Sequence, residues 1–184
     1  MGVMINAPLV GAAQAANLWP HGEPCTPTSV VAHGIRHGQD LRKGRVSQAG
    51  QTYLVTSVTW QRERIFEDFA NARALMRVMR TSDQRGSTAT WACVVMPDHL
   101  HWLFTLNHGN LADIMRAVKA ASALRINRSR ATPGATVWQT GYHDRALRAE
   151  DDLQGCARYV INNPKRAGLV SSVRVYSHWH AAWI

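Results

Sequence analysis

Two histidines one residue apart, His99 and His101, open the apolar run His99-Leu100-His101-Trp102-Leu103-Phe104. In an extended strand alternate side chains share a face, so the two imidazoles converge while Leu100, Trp102, Phe104 and Leu106 turn to a core. Paired imidazoles on a strand are a metal-binding arrangement. Farther along, Tyr159 and Asn163 are four residues apart, neighbours on one helix face. A tyrosine there can equally be amphipathic packing with its hydroxyl in water. Its company changes the reading: a His-x-His strand, a helical Tyr-x-x-x-Asn and a surplus of arginine are the parts of a metal-assisted phosphoryl transfer. A phenol with a pKa of about 10 is a weak nucleophile. A divalent ion on the scissile phosphate would withdraw charge and stabilise the transition state. Two imidazoles and an amide oxygen form a neutral mixed N/O set that admits Mg²⁺ or Mn²⁺.

The elements that must position these groups are legible as changes of period. Residues 53–60, rich in β-branched and aromatic types after Gly50, read as a strand. Ile65, Phe69, Ala72, Met76 and Met79 then recur at helical spacing, which predicts one buried helix face, with Arg73, Arg77 and Arg80 as a second stripe that could track phosphates but is more commonly a solvated face. Residues 88–96 and 99–106 read as two antiparallel strands joined by a tight Pro97-Asp98 turn, with the histidines at the mouth of the second. Strand alternation directs Asp98 away from them. Asn110 is a good N-cap, with Asp113 in the first turn of a helix that runs to about residue 128. Val137-Trp138 suggests a short extended segment, and residues 141–145 read as loop. His143 and Asp144 are adjacent and could form a hydrogen-bonded pair, although adjacent residues often point apart. A last helix begins near the acidic run Glu150-Asp151-Asp152 and is bounded by Pro164. The rest reads as a basic turn and a tail holding Tyr176, Trp179 and Trp183.

Composition sets the partner class. The chain has 184 residues, 46% hydrophobic and 18% charged, as in an ordinary globular protein. Lys and Arg total 21 against 12 Asp and Glu, a formal charge of +9, which predicts attraction to a polyanion, nucleic acid first. Three cysteines without close spacing argue against a disulfide framework and for a reducing compartment. With no long apolar run and no basic n-region before Arg36, neither a membrane span nor a secretory signal is expected. Residues 1–43 are Pro- and Gly-punctuated and read as a flexible leader, leaving one domain over 44–184. His21, Cys25, His33 and His37 lie in that leader, and their irregular gaps without a CxxC knuckle weigh against a zinc site.

Three blocks, VVMPDHLHWLF, VWQTGYHDRALR and ARYVINNPKRAGLV, together with the upstream GRVSQAGQTYLVTSVTW, resemble the REP-associated tyrosine transposases of the HUH single-strand transposase superfamily. The resemblance implies an α+β fold: a ferredoxin-like antiparallel sheet with helices packed on one face. It implies that His99 and His101 hold a divalent metal, that Asn163 is the third ligand, and that Tyr159 is the nucleophile. The reaction it implies is attack on a single-stranded DNA phosphodiester, leaving a 5′-phosphotyrosine and a free 3′-OH. It implies short palindromic REP-like hairpins as substrate, a monomer or homodimer, and a bacterial cytoplasmic, nucleoid-associated location. Arg145, Arg148, Arg158, Lys165 and Arg166 lie near the proposed site in sequence and are the candidates for DNA contact. Two rivals remain: a hairpin-binding protein without significant nuclease activity, and a metal nuclease that uses water in place of Tyr159.

Overall fold

The structure is a computed structural model, and it describes residues 47–183. The leader and its histidines lie outside the described residues. Strand β1 (Thr52–Val58) is followed by two short 3₁₀ turns and helix α1 (Phe69–Gln84), then by β2 (Thr88–Met96) and β3 (His99–Leu106). Helix α2 (Leu111–Ser129), strand β4 (His143–Ala146), the short helices α3 (Leu153–Ile161) and α4 (Asn163–Arg166), and strand β5 (Trp179–Ala181) complete the chain. The strands form one sheet in the order β4-β1-β3-β2-β5, and every neighbouring pair is antiparallel. Four of these strands and the two long helices make two interleaved split βαβ units, with β1 and β3 at the centre. This is the expected ferredoxin-like α+β fold.

Local chemistry explains the boundaries. The Asp68 side chain accepts from the Ala70 amide at 2.8 Å and Asn110 from the Asp113 amide at 2.8 Å, each capping a long helix. The alternation along β3 divides the interior in two. Leu100, Trp102, Phe104 and Leu106 pack under α1 and α2, with the Trp102 and Phe104 rings stacked at 4.0 Å. Leu103 points the other way, into a second core with Val94, Met96, Cys156, Ala157 and Val160.

The expectation of helices on one face therefore holds for α1 and α2 and is corrected for α3. Helix α3 covers the opposite face because its own apolar stripe, from Cys156 to Ile161, meets the alternate residues of β2 and β3. Three other readings change. Residues 143–146 form an edge strand rather than a loop, and the tail contributes the other edge, β5. Both pair on one side only and cover little, so neither needs an apolar alternation to be stable. The predicted α1 stripe also shifts. The helix begins after Asp68, so Ile65 sits in a separate turn; the buried face is Asn71, Ala72, Leu75, Val78 and Met79, and Phe69 is 50% exposed. Val137-Trp138 makes only an isolated bridge to Thr59, with Trp138 buried against Phe66 at 5.4 Å.

Candidate functional site

The hairpin between β2 and β3 sets the site. Met96 pairs with His99 across the Pro97-Asp98 turn, and both histidines stand on the α3 side of the sheet. Their Nε2 atoms lie 3.2 Å apart with the rings nearly perpendicular, at 87°. Each Nδ1 is occupied from behind. His99 Nδ1 meets Asp98 Oδ1 at 2.6 Å, and His101 Nδ1 meets Thr56 Oγ1 at 2.8 Å. Thr56 reaches His101 because β1 and β3 pair it directly with that residue. Asp98 is held in turn by Arg62 Nη1 at 3.0 Å, and its backbone oxygen accepts from the Thr59 amide and hydroxyl. The sequence expectation that Asp98 points away is thus corrected. It belongs to the turn, where strand alternation has not yet begun.

The charges follow from these contacts. Burial would raise the Asp98 carboxyl, but the His99 and Arg62 bonds outweigh it and bring it down to about 2. Burial, and then the nearby His99 and Arg166, push His101 down to about 3, so it is a neutral imidazole at physiological pH. An ionised Asp98 can only accept, so His99 donates to it from Nδ1 and turns Nε2 toward His101. Two lone-pair nitrogens on one metal, each at about 2.1 Å, stand about 3.0 Å apart at a right angle and about 3.4 Å apart at the tetrahedral angle. The separation of 3.2 Å lies inside that window. With carboxylate and hydroxyl backing, the pair fits a divalent cation.

Tyr159 lies on α3, half-buried, with the Arg166 guanidinium 4.4 Å from its ring centre. Arg166 also acts electrostatically on His101, which puts the tyrosine, the arginine and the histidine pair on the same side of the sheet. The chain bends at Asn162, and Asn163 opens α4, where the neighbouring Pro164 sits in a first turn that needs no donor. Asn163 Nδ2 donates to the Tyr159 and Val160 carbonyls at 3.1 and 3.0 Å, which fixes the amide against the end of α3. Among the described residues no group of three or more His, Cys, Asp and Glu side chains gathers as a metal site.

The candidate DNA contacts separate into two groups. Arg145 pairs with Asp151 at 2.8 Å, Arg158 with Asp152 at 3.5 Å, and Arg148 loosely with Glu150 at 3.8 Å. Lys165 and Arg166 are exposed on α4, beside the tyrosine. His143 and Asp144 do not form a pair: they alternate across β4, with His143 opposite Thr56 and Asp144 opposite Val55. The residues that sequence reasoning missed are Thr56, Arg62 and the supporting role of Asp98. Only the β1–β3 register and the turn conformation bring them to the histidines.

The fold and site together define a ferredoxin-like α+β protein with a paired-histidine centre on the sheet face that carries its helical tyrosine. The family described as Transposase IS200 like matches residues 47–163, and the chain belongs to it. It is therefore a transposase, with an enzymatic role in DNA processing. A solved REP-associated tyrosine transposase bound to a REP hairpin shares the fold: TM-score 0.58, 22% identity, covering 73% of this chain and 79% of that one. A candidate transposase from Deinococcus radiodurans R1 aligns with TM-score 0.47 and 23% identity, over 65% of this chain and 95% of that one. No curated protein shows significant sequence similarity to the chain. No helix among the described residues is long and apolar enough to cross a membrane.

Proposed function

We propose that the chain is a metal-dependent single-stranded DNA endonuclease and strand transferase that acts on hairpin DNA through a covalent 5′-phosphotyrosine. The observation that carries this reading is the convergence of the His99 and His101 Nε2 atoms, each ring oriented from behind, on the face that also holds Tyr159. His99 Nε2, His101 Nε2 and the Asn163 carbonyl oxygen are the groups that would hold Mg²⁺ or Mn²⁺. A bound divalent ion would supply charge neutralisation at the scissile phosphate.

The chain's own groups do the rest. Tyr159 Oη attacks the phosphorus, an O–P bond forms, and the bond to the 3′ oxygen breaks. The proton lost by the phenol is balanced by the one the 3′ oxygen takes up, leaving a free 3′-OH. The reverse attack by a 3′-OH restores the phosphodiester and frees the tyrosine, so joining needs no external energy source. Arg166, stacked on the Tyr159 ring, stabilises negative charge on the phenol oxygen and on the phosphate in line with it. The hairpin as substrate is consistent with the solved REP-associated relative, which was captured on one.

The test is incubation with end-labelled single-stranded hairpin DNA and Mn²⁺, followed by denaturing electrophoresis. The wild-type protein is expected to form an SDS-resistant adduct that Tyr159→Phe and His99→Ala lose. Equal, negligible adduct from wild type and Tyr159→Phe refutes the covalent mechanism. Cleavage that persists in Tyr159→Phe and disappears in His99→Ala indicates water as the nucleophile instead.

A further inference from the structure

A ladder of rings wraps the β2/β5 edge of the sheet beside the histidine site. Tyr176 packs against the core on the histidine side, and its hydroxyl donates to the Val95 carbonyl at 2.7 Å. Its ring meets His178 at 5.6 Å, and His178 meets Phe69 at 5.3 Å on the α1 side. Arg73 covers Phe69, with its guanidinium carbon 5.3 Å from the ring centre. His178 is buried between the two aromatic rings, with no hydrogen-bond partner for its Nε2. Phe69 at the outer end is half exposed, although the sequence spacing would have buried it.

The ladder is tied directly to the site. The His178 carbonyl accepts from the Val95 amide at 2.9 Å, and Val95 pairs with Leu100, the residue between the two histidines. Two interstrand spacings, about 10 Å, therefore separate the histidine strand from the ladder's backbone. Arg64, ion-paired with Glu67 at 2.7 Å, lies close enough to feel both Asp98 and Tyr176. An exposed ring under a guanidinium, at the end of an aromatic ladder on a protein of charge +9, has the composition of a stacking platform for single-stranded nucleic acid.

We infer that Phe69, backed by His178 and flanked by Arg73, stacks an unpaired base of the DNA strand that leaves the histidine site over the β2/β5 edge. The inference rests on the reading of the chain as a single-strand DNA enzyme and specifies where the strand runs. The occupant is DNA rather than protein because Arg73, exposed beside the ring on a chain of charge +9, complements a phosphate next to a stacked base.

The experiment is a binding cycle in EDTA, so that no chemistry intervenes. Fluorescence anisotropy would compare wild type, Phe69→Ala and Phe69→Trp on a hairpin with a single-stranded extension. A series of the same oligonucleotide would carry one abasic site at successive positions. Phe69→Ala is expected to weaken binding by roughly five- to a hundredfold, and Phe69→Trp to restore it. One abasic position should weaken wild-type binding by a similar factor and leave Phe69→Ala binding unchanged. Penalties that multiply independently at every position would overturn the inference. So would a Phe69→Ala protein with normal DNA affinity but an altered oligomeric state in sedimentation, which would make the patch a protein contact. The adduct assay is independent: a protein that forms no adduct yet shows the Phe69 coupling loses the enzymatic reading and keeps this surface.

Discussion

Replacing Asp98 with asparagine tests whether the histidine pair is a metal centre and whether its backing matters. At 2.6 Å from His99 Nδ1, and held near a pKa of 2 by His99 and Arg62 against its burial, the carboxylate is fully ionised at pH 7. It therefore fixes the His99 tautomer and makes Nε2 a better donor. The amide of the Asp98→Asn variant would retain an acceptor oxygen in almost the same place, so orientation largely survives and the lost contribution is charge. Substitutions of such backing groups cost about ten- to a hundredfold in metal affinity, or about 1.4–2.7 kcal/mol. The retained acceptor places Asp98→Asn at the lower end, about tenfold, and Asp98→Ala at the upper end. The fold should be little affected: the Thr59 contacts go to the Asp98 backbone, and the Arg62 pair is largely solvent-exposed on the arginine side, contributing about 0–1 kcal/mol. Mn²⁺ titration by calorimetry at pH 7, with no DNA present, measures the effect. His99→Ala should abolish binding. If it does while Asp98→Asn binds within about twofold of wild type, the carboxylate does not tune the site and the reasoning fails.

Other consequences are equally direct. Trp102 is fully buried, stacked on Phe104 and bonded through Nε1 to Thr90 at 2.9 Å; Trp102→Ala should cost about 3–5 kcal/mol in urea unfolding without changing which face carries the histidines. For the metal-free protein, His101 held down to about 3 against 6.5 in the unfolded chain means the unfolded state binds the extra proton between those values. That contribution is complete above pH 6.5 and drains as pH falls, so the melting temperature should drop from pH 7 to 4, and His101→Gln should flatten the slope; parallel slopes would count against it. Burial pushes the Cys93 thiol up to about 12, so at pH 8 iodoacetamide should leave the Cys93 peptide unmodified until denaturant is added, as read by mass spectrometry.

The chain's own pattern determined much of this protein. The alternation along β3 settles which residues enter the core and that His99 and His101 share a face, because a strand has a fixed period of two. The cap at Asn110 follows from local hydrogen bonding, whereas Tyr159 and Asn163 fall on two helices, joined by the bond from the Asn163 amide to the Tyr159 carbonyl. What local pattern could not decide is what crosses between elements. Edge strands β4 and β5 carry no periodic signal because they bury little, and Phe69 obeys the helical period yet is left half exposed, since the helix begins only after Asp68. Likewise Thr56 reaches His101 only through strand register, and the Arg166–Tyr159 contact crosses the break between α3 and α4 at Asn162. The sequence determined the candidate site groups and their local orientation. The tertiary structure decided that α3 folds onto the histidine face, because that is where its apolar stripe finds alternate residues of β2 and β3 to cover.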